Sequence, residues 1–131
     1  AFTATADPAA QQTLKDVLQL QSPQVVRLNP HRSNLDLRVK AVVSEGQRKG
    51  SLRRYLQQRG GQAGLVYVRT RKDSEALAQQ LGDRYRVAPY HAGLSSRDRR
   101  QIEADWMADK LQFVVCTSAF GMGISKSNTR W

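Results

Sequence analysis

Apolar residues recur along the chain at two spacings, and the change from one to the other marks out the elements. Behind Asp7 and Pro8, an N-cap and a first helical residue, Leu14, Val17 and Leu18 fall at helical intervals until Pro23 stops the run. This predicts a first helix. Val25 to Leu28 is a short apolar run and predicts a strand. Asn29, Pro30, His31, Arg32, Ser33 and Asn34 form the most linker-like stretch of the sequence, so a boundary is expected over 29–34. On this division residues 1–28 close one domain and residues 35–131 build another.

Beyond the linker, Leu35, Leu37, Val39, Ala41 and Val43 alternate with polar residues, the pattern of a strand with one buried face. Leu52, Tyr55 and Leu56 mark a basic helix. Gly64 to Val68 (GLVYV) predicts a strand, followed by Thr70 as an N-cap and by Ala76, Leu77 and Leu81 on one helix face. Val87 to Tyr90 predicts a further strand. Ser95, with Asp98 three residues on, resembles a capping box ahead of a helix carrying Ile102 and Trp106, and Phe113 to Cys116 is the next strand. Strands alternating with helices predict an α/β fold, a mostly parallel sheet with helices on both faces. In such sheets ligands gather beyond the carboxyl ends of the strands. That rule selects Arg69 to Arg71, His91 to Leu94, and Thr117 to Gly123.

Charge changes the picture from a generic α/β domain to one suited to an anionic partner, the alternative being a generally basic, solvated surface. The 131 residues hold 21 Lys and Arg against 11 Asp and Glu, a net charge of +10, and 40% of them are apolar, enough for a core. Arginine, suited to bidentate phosphate contacts, supplies 15 of the 21. The excess lies mainly after residue 40, where 16 basic residues face 8 acidic ones. There is no uncharged apolar run of about 18 residues, so no membrane-spanning helix is expected. The single Cys116 excludes an internal disulfide and any Cys-based zinc cluster, which fits a reducing compartment. Beginning on Ala1 and stopping at Trp131, the sequence reads as a piece of a longer polypeptide.

Each of the three strand-end segments contains phosphate-compatible groups. Arg69, Thr70 and Arg71 open a helix, where unpaired N–H groups, a hydroxyl and two guanidinium groups would meet an anion; the alternative is that Thr70 only caps and the arginines are solvated. Thr117 and Ser118 bring two hydroxyls to a strand end, and Gly121 and Gly123 then permit close backbone approach. No G-x-x-x-x-G-K-[ST] loop occurs anywhere. His91 stands at a strand end with Gly93 two residues on, and without a second His or Cys at ligand spacing no metal site is expected. Cys116 ends an apolar run and reads as core. Arg97, Arg99 and Arg100 crowd the first turn of a helix against its dipole; they either await a partner or resolve locally through an Arg99–Glu103 pair.

Taken in order, AFTATAD (1–7), LVYVRTR (65–71), YHAGL (90–94) and VVCTSAFGMGISKSNTR (114–130) resemble consecutive motifs of superfamily-two helicases, and of the RecQ family of DNA helicases in particular. The resemblance covers nearly the whole chain. It implies that Thr3 and Thr5 lie in the segment coupling nucleotide state to DNA at the end of a first RecA-like lobe. The second RecA-like lobe, truncated, would then follow the linker. Arg69, Thr70, Arg71, His91, Gly93, Thr117, Ser118, Gly121 and Gly123 would face DNA phosphates, as suits a motor whose steps ignore base identity.

The family has Asp or Asn where this chain has Ser125, and proline where it has Ser127. Ser125 would still offer a hydroxyl to the nucleotide ribose but no carboxylate. The implied parent is an ATP-dependent helicase of three-prime-to-five-prime polarity that uses ATP and Mg²⁺. It would act on single-stranded DNA and duplex junctions in the cytoplasm or nucleoid, or in a nucleus if eukaryotic. Having no phosphate-binding Lys loop and no acidic Mg²⁺ motif, this segment would bind neither alone, and the rest of the polypeptide is its further partner. The alternatives are a non-catalytic nucleic-acid-binding module and a degenerate helicase relative that has lost nucleotide coupling.

Overall fold

The structure is a computed structural model that describes residues 2–121 and 124–131. It divides into two compact units, Ala1–Lys40 and Ala41–Trp131. The first unit carries helix α1 (Pro8–Val17), started as its sequence predicts: Asp7 caps it by accepting from the Ala10 N–H at 2.7 Å, and Pro8 takes the first position. None of its residues is buried within the structure.

The second unit contains α2 (Glu45–Gln57), β1 (Gly64–Tyr67), α3 (Arg71–Leu81), β2 (Val87–Tyr90), α4 (Ser96–Met107) and β3 (Phe113–Cys116). Serine or threonine hydroxyls start all three helices: Ser44 accepts from Gln47 N–H, Thr70 from Asp73 N–H and Ser95 from Asp98 N–H. The three strands are parallel in the order β1-β3-β2, with Tyr67, Cys116 and Tyr90 side by side. The chain crosses from β1 to β2 and then returns to insert β3 between them. Two crossovers of the same hand in opposite directions place their helices on opposite faces.

Strand β3 is buried along its whole length and serves both faces with its period-two alternation. Val114 and Cys116 join Ala63, Tyr90, Trp106 and Phe120 on the α4 side. Phe113 and Val115 join Leu56, Ala78 and Leu81 on the side of α2 and α3. Each fully buried Val or Phe contributes on the order of 1.5–3 kcal/mol, so this strand is the densest source of stability in the unit.

Two expected strands do not form. Val25 to Leu28 and the alternating Leu35–Val43 segment lie outside regular structure, with Val26, Leu28, Leu37, Val39 and Val43 all exposed. Alternation makes a strand only where a ladder partner satisfies its backbone, and among the described residues nothing pairs with either segment. What borders β1 on its outer side is instead the segment up to Trp131. Leu65 N–H donates to Trp131 O at 2.9 Å, Arg130 N–H donates to Ala63 O at 2.8 Å, and Ala63 bridges Thr129 in parallel. The Trp131 indole then lies directly on Gly64, where a Cβ would fall inside the ring, and packs against Phe113 at 5.4 Å and Tyr55 at 5.9 Å between centroids.

Gly64→Ala will destabilise the folded protein by about 2 kcal/mol through overpacking, and the loss will shrink when Trp131 is also changed to Leu; urea denaturation of the two variants and their combination measures both. Cys116 is fully buried, and desolvation pushes its thiol up to about 12. Iodoacetamide at pH 8 will therefore leave it unmodified in the folded protein and alkylate it once urea opens the sheet.

Candidate nucleic-acid interface

Because the strands are parallel and in register, their carboxyl ends finish at one level. Val68 N–H donates to Cys116 O at 2.8 Å and Thr117 N–H to Tyr90 O at 3.1 Å, so the chain leaves all three strands along a single edge. The helices α3 and α4 both begin there, directing their free N–H groups and positive dipole ends to the same side.

From β1, the exposed Arg69, Thr70 and Arg71 lead into α3. The Thr70 hydroxyl accepts the Asp73 N–H at 3.0 Å, which settles it as a cap and leaves its own proton to donate outward. The Arg71 guanidinium lies against the turn after β2, since a Cβ on Gly93 would meet its Nη1 at 3.1 Å. In that turn His91 is buried, with both ring nitrogens engaged. Nδ1 accepts the Gly93 N–H at 3.0 Å, and Nε2 is 2.9 Å from Glu75 Oε1 on α3. With Nδ1 an acceptor, Nε2 carries the hydrogen and donates to Glu75. His91 therefore shapes the turn and ties it to α3, while Arg71 and the backbone around Gly93 face outward.

From β3, Thr117 is half-buried and Ser118 exposed; Phe120 N–H donates to Thr117 O at 3.2 Å, closing a tight turn. Phe120 plunges back into the core against Tyr90 at 4.7 Å and Trp106 at 6.4 Å between centroids. The Tyr67 hydroxyl donates to Phe120 O at 2.9 Å, and burial raises this phenol above its ordinary range, so it stays a donor at any physiological pH. Gly121 is required twice: its φ is +107° and a Cβ would collide with the Tyr67 hydroxyl. Gly123 lies outside the described residues. The exposed Ser125 follows Ile124, which packs beneath the loop on the α4 side of the sheet.

Thr3 and Thr5 belong to the first unit. There Thr5 N–H donates to Thr3 Oγ1 at 3.3 Å in the turn before α1, and both side chains are exposed.

At the start of α4, Arg97 and Arg100 are exposed, but Arg99 and Glu103 do not form the ion pair that their spacing suggests. Glu103 accepts from the Tyr90 hydroxyl, and Arg99 reaches Ser96 Oγ at 3.4 Å. The buried phenol claims the carboxylate first because it has no water to turn to.

Sequence reasoning missed the supports of this edge. Tyr67, Glu75, Phe120 and the group Asp109–Lys126–Asn128 hold the loops from below. An apolar Phe120 inside a polar, glycine-rich stretch was the one visible signal. Among the described residues no cluster of metal-ligating side chains forms, and no helix is long and apolar enough to cross a membrane.

Residues 47–131 match the family described as helicase conserved C-terminal domain. Over its whole length the chain is 46% identical to the ATP-dependent DNA helicase RecQ of Synechocystis, covering 28% of it. It is 36% identical to the ATP-dependent DNA helicase Q5 of Mus musculus, covering 14%, and 35% identical to the RecQ helicase of Bacillus subtilis, covering 22%. The chain thus spans under a third of the length of these curated relatives. Among solved structures, S. cerevisiae Dbp5 bound to RNA and ADP BeF3 is similar with a TM-score of 0.78 over 98% of this chain and 33% of its own, at 18% identity. The Pyrococcus furiosus Hef helicase domain gives 0.52 over 64% of this chain and 18% of its own, at 15% identity. These two speak to the fold, which is RecA-like. A sheet of this topology, matched by that family from residue 47 onward and by RecQ helicases end to end, has one assignment: the chain belongs to the helicase conserved C-terminal domain family, as a RecQ-like member.

Proposed function

We propose that this chain is part of the motor of an ATP-dependent DNA helicase of three-prime-to-five-prime polarity. Residues 1–28 end its first RecA-like lobe, 29–34 form the linker and 35–131 build most of the second. The observation that carries the reading is the level edge, at which Arg69, Thr70, Arg71, the Gly93 turn, Thr117, Ser118 and the Gly121 backbone are brought together by parallel register. These groups present hydroxyl, guanidinium and backbone donors and few base-reading amides, which fits phosphate contacts along one strand. His91 serves that surface through the turn it shapes. Gly123 belongs to the same loop in the sequence.

Thr3 and Thr5 couple nucleotide state to DNA from the first lobe, and Ser125 offers a hydroxyl to the nucleotide on the other side of the loop. With no Lys loop in these 131 residues, ATP phosphates and Mg²⁺ are held chiefly by other parts of the polypeptide. ATP supplies the free energy of stepping; the residues here bind and orient the strand. The working partners are single-stranded DNA and its junction with duplex, and the place of work is wherever the chromosome lies, nucleoid or nucleus.

The test uses the full-length protein. ATP hydrolysis will rise on adding single-stranded DNA, and affinity for that DNA will fall steeply with salt and vary little with sequence. Replacing Arg69 and Arg71 by Ala will weaken binding and flatten the plot of log affinity against log salt by about 0.7 for each phosphate left without its guanidinium. No hydrolysis, with salt-sensitive binding intact, would instead identify a non-catalytic nucleic-acid-binding module or a degenerate helicase relative.

A further inference from the structure

Lys126 is one of six lysines in a strongly basic chain, and it stands one residue from the nucleotide-side Ser125. Position and charge both suggest a phosphate ligand. Its placement argues otherwise. The side chain is only 4% exposed; its Nζ is 2.6 Å from Asp109 Oδ1 and 5.3 Å from the centre of the Trp106 ring. The alkyl stem and the ammonium are therefore consumed inside the fold, stacked on an indole that is itself buried. Asn128 Nδ2 donates to the same Asp109 oxygen at 3.0 Å.

Asp109 is built for this task. It follows the end of α4 in the left-handed region, with φ of 58°, a conformation that Asp and Asn tolerate better than other side chains and that turns the carboxylate back toward the loop. Hydrogen bonds from Lys126 and then Asn128 hold its carboxyl below the ordinary range, so it is ionised at neutral pH. The Trp106 ring contacts the loop at two places, Phe120 on the strand-end side and Lys126 on the returning side.

We propose that Lys126 is a positioning residue: paired with Asp109 and stacked on Trp106, it ties the chain that returns from the strand-end turn Thr117–Gly121 to the end of α4 and never touches DNA itself. This rests on the helicase reading above. A phosphate ligand and a positioning residue differ in what salt reveals. Removing a ligand lowers the counterion release on binding, whereas removing a clamp leaves the number of neutralised phosphates nearly unchanged and raises the free energy of ordering the loop around them.

The experiment uses the full-length protein with Lys126→Met, which retains the stem over Trp106, with Asp109→Gly, which suits the positive φ, and with both together. An oligo-dT is the DNA probe. Each single variant should raise the oligo-dT concentration for half-maximal ATPase stimulation by about tenfold, and the double variant by no more than about twofold beyond either. The salt slope of binding should stay within about 0.3 of the parent's, and the KM for ATP within about twofold.

A slope lowered by about 0.7 in Lys126→Met, with Asp109→Gly unaffected, would identify Lys126 as a phosphate ligand and overturn the proposal. A reduced maximal rate with an unchanged half-stimulating concentration would show a loss of folded protein only, and would overturn it equally. If the parent shows no stimulation by DNA, the helicase reading fails, and amide hydrogen exchange over Thr117 to Gly121 still decides the clamp. Faster exchange to the same extent in all three variants supports it, and unchanged exchange refutes it.

Discussion

Everything at the candidate nucleic-acid edge depends on the double pairing of one short strand. Phe113 to Cys116 gives its N–H and C=O groups to neighbours on both sides and its side chains to both cores, and no atom of it needs water. That constraint sets β1 and β2 in the same register, and register is what makes three separate turns end at the same height. A slip of one residue in either ladder would move Arg69 or Gly93 by about 3.3 Å along the strand and exchange the two faces of the sheet. The spatial precision of the surface is thus inherited from hydrogen bonds that lie entirely beneath it.

Between that sheet and the surface stands a layer of aromatic and ionic supports. Trp106 receives Phe120 and Lys126, Tyr90 receives Phe120 and binds Glu103, and Tyr67 holds the Phe120 carbonyl. Each is a large side chain with one polar handle or one charge, able to pack in a core and still specify a direction. Flexible glycine-containing turns gain definition from such neighbours. Here Gly121 gives the loop its positive φ while Tyr67 and Phe120 remove the freedom that glycine brings.

The elements of the second unit were legible because their signals are local. Caps at Thr70 and Ser95, the run GLVYV, the run FVVC and the helical spacing of Ala76, Leu77 and Leu81 each lie within a few residues, and each names its element correctly. The two strands that failed, at Val25–Leu28 and Leu35–Val43, carry equally good patterns, but a pattern cannot supply the partner a ladder needs. The candidate site was half legible for the same reason. The placement of Arg71, Gly93 and Thr117 beyond the carboxyl ends of the strands follows from where the strands read in the sequence. The roles of His91 and Lys126 do not, because a partner 16 or 17 residues away leaves no trace in local spacing. Both look like surface groups in the sequence and are interior ones in the fold.

The strand order β1-β3-β2 also governs when the unit becomes able to fold. Neither β1 nor β2 has the other as a neighbour, so each must wait for β3, the last of the three to leave a ribosome. Up to residue 112 this unit holds helices and two isolated apolar segments but, among the described residues, no paired strands. The ladder of β1 closes a loop of some fifty residues in one step, from Gly64 to Phe113. Sheet formation therefore follows synthesis of all three strands and is limited by nonlocal closure. During that wait GLVYV is an exposed, uncharged β-forming segment flanked by Arg59 on one side and Arg69 and Arg71 on the other, so arginines that include the two proposed as phosphate contacts guard the unfinished molecule against self-association.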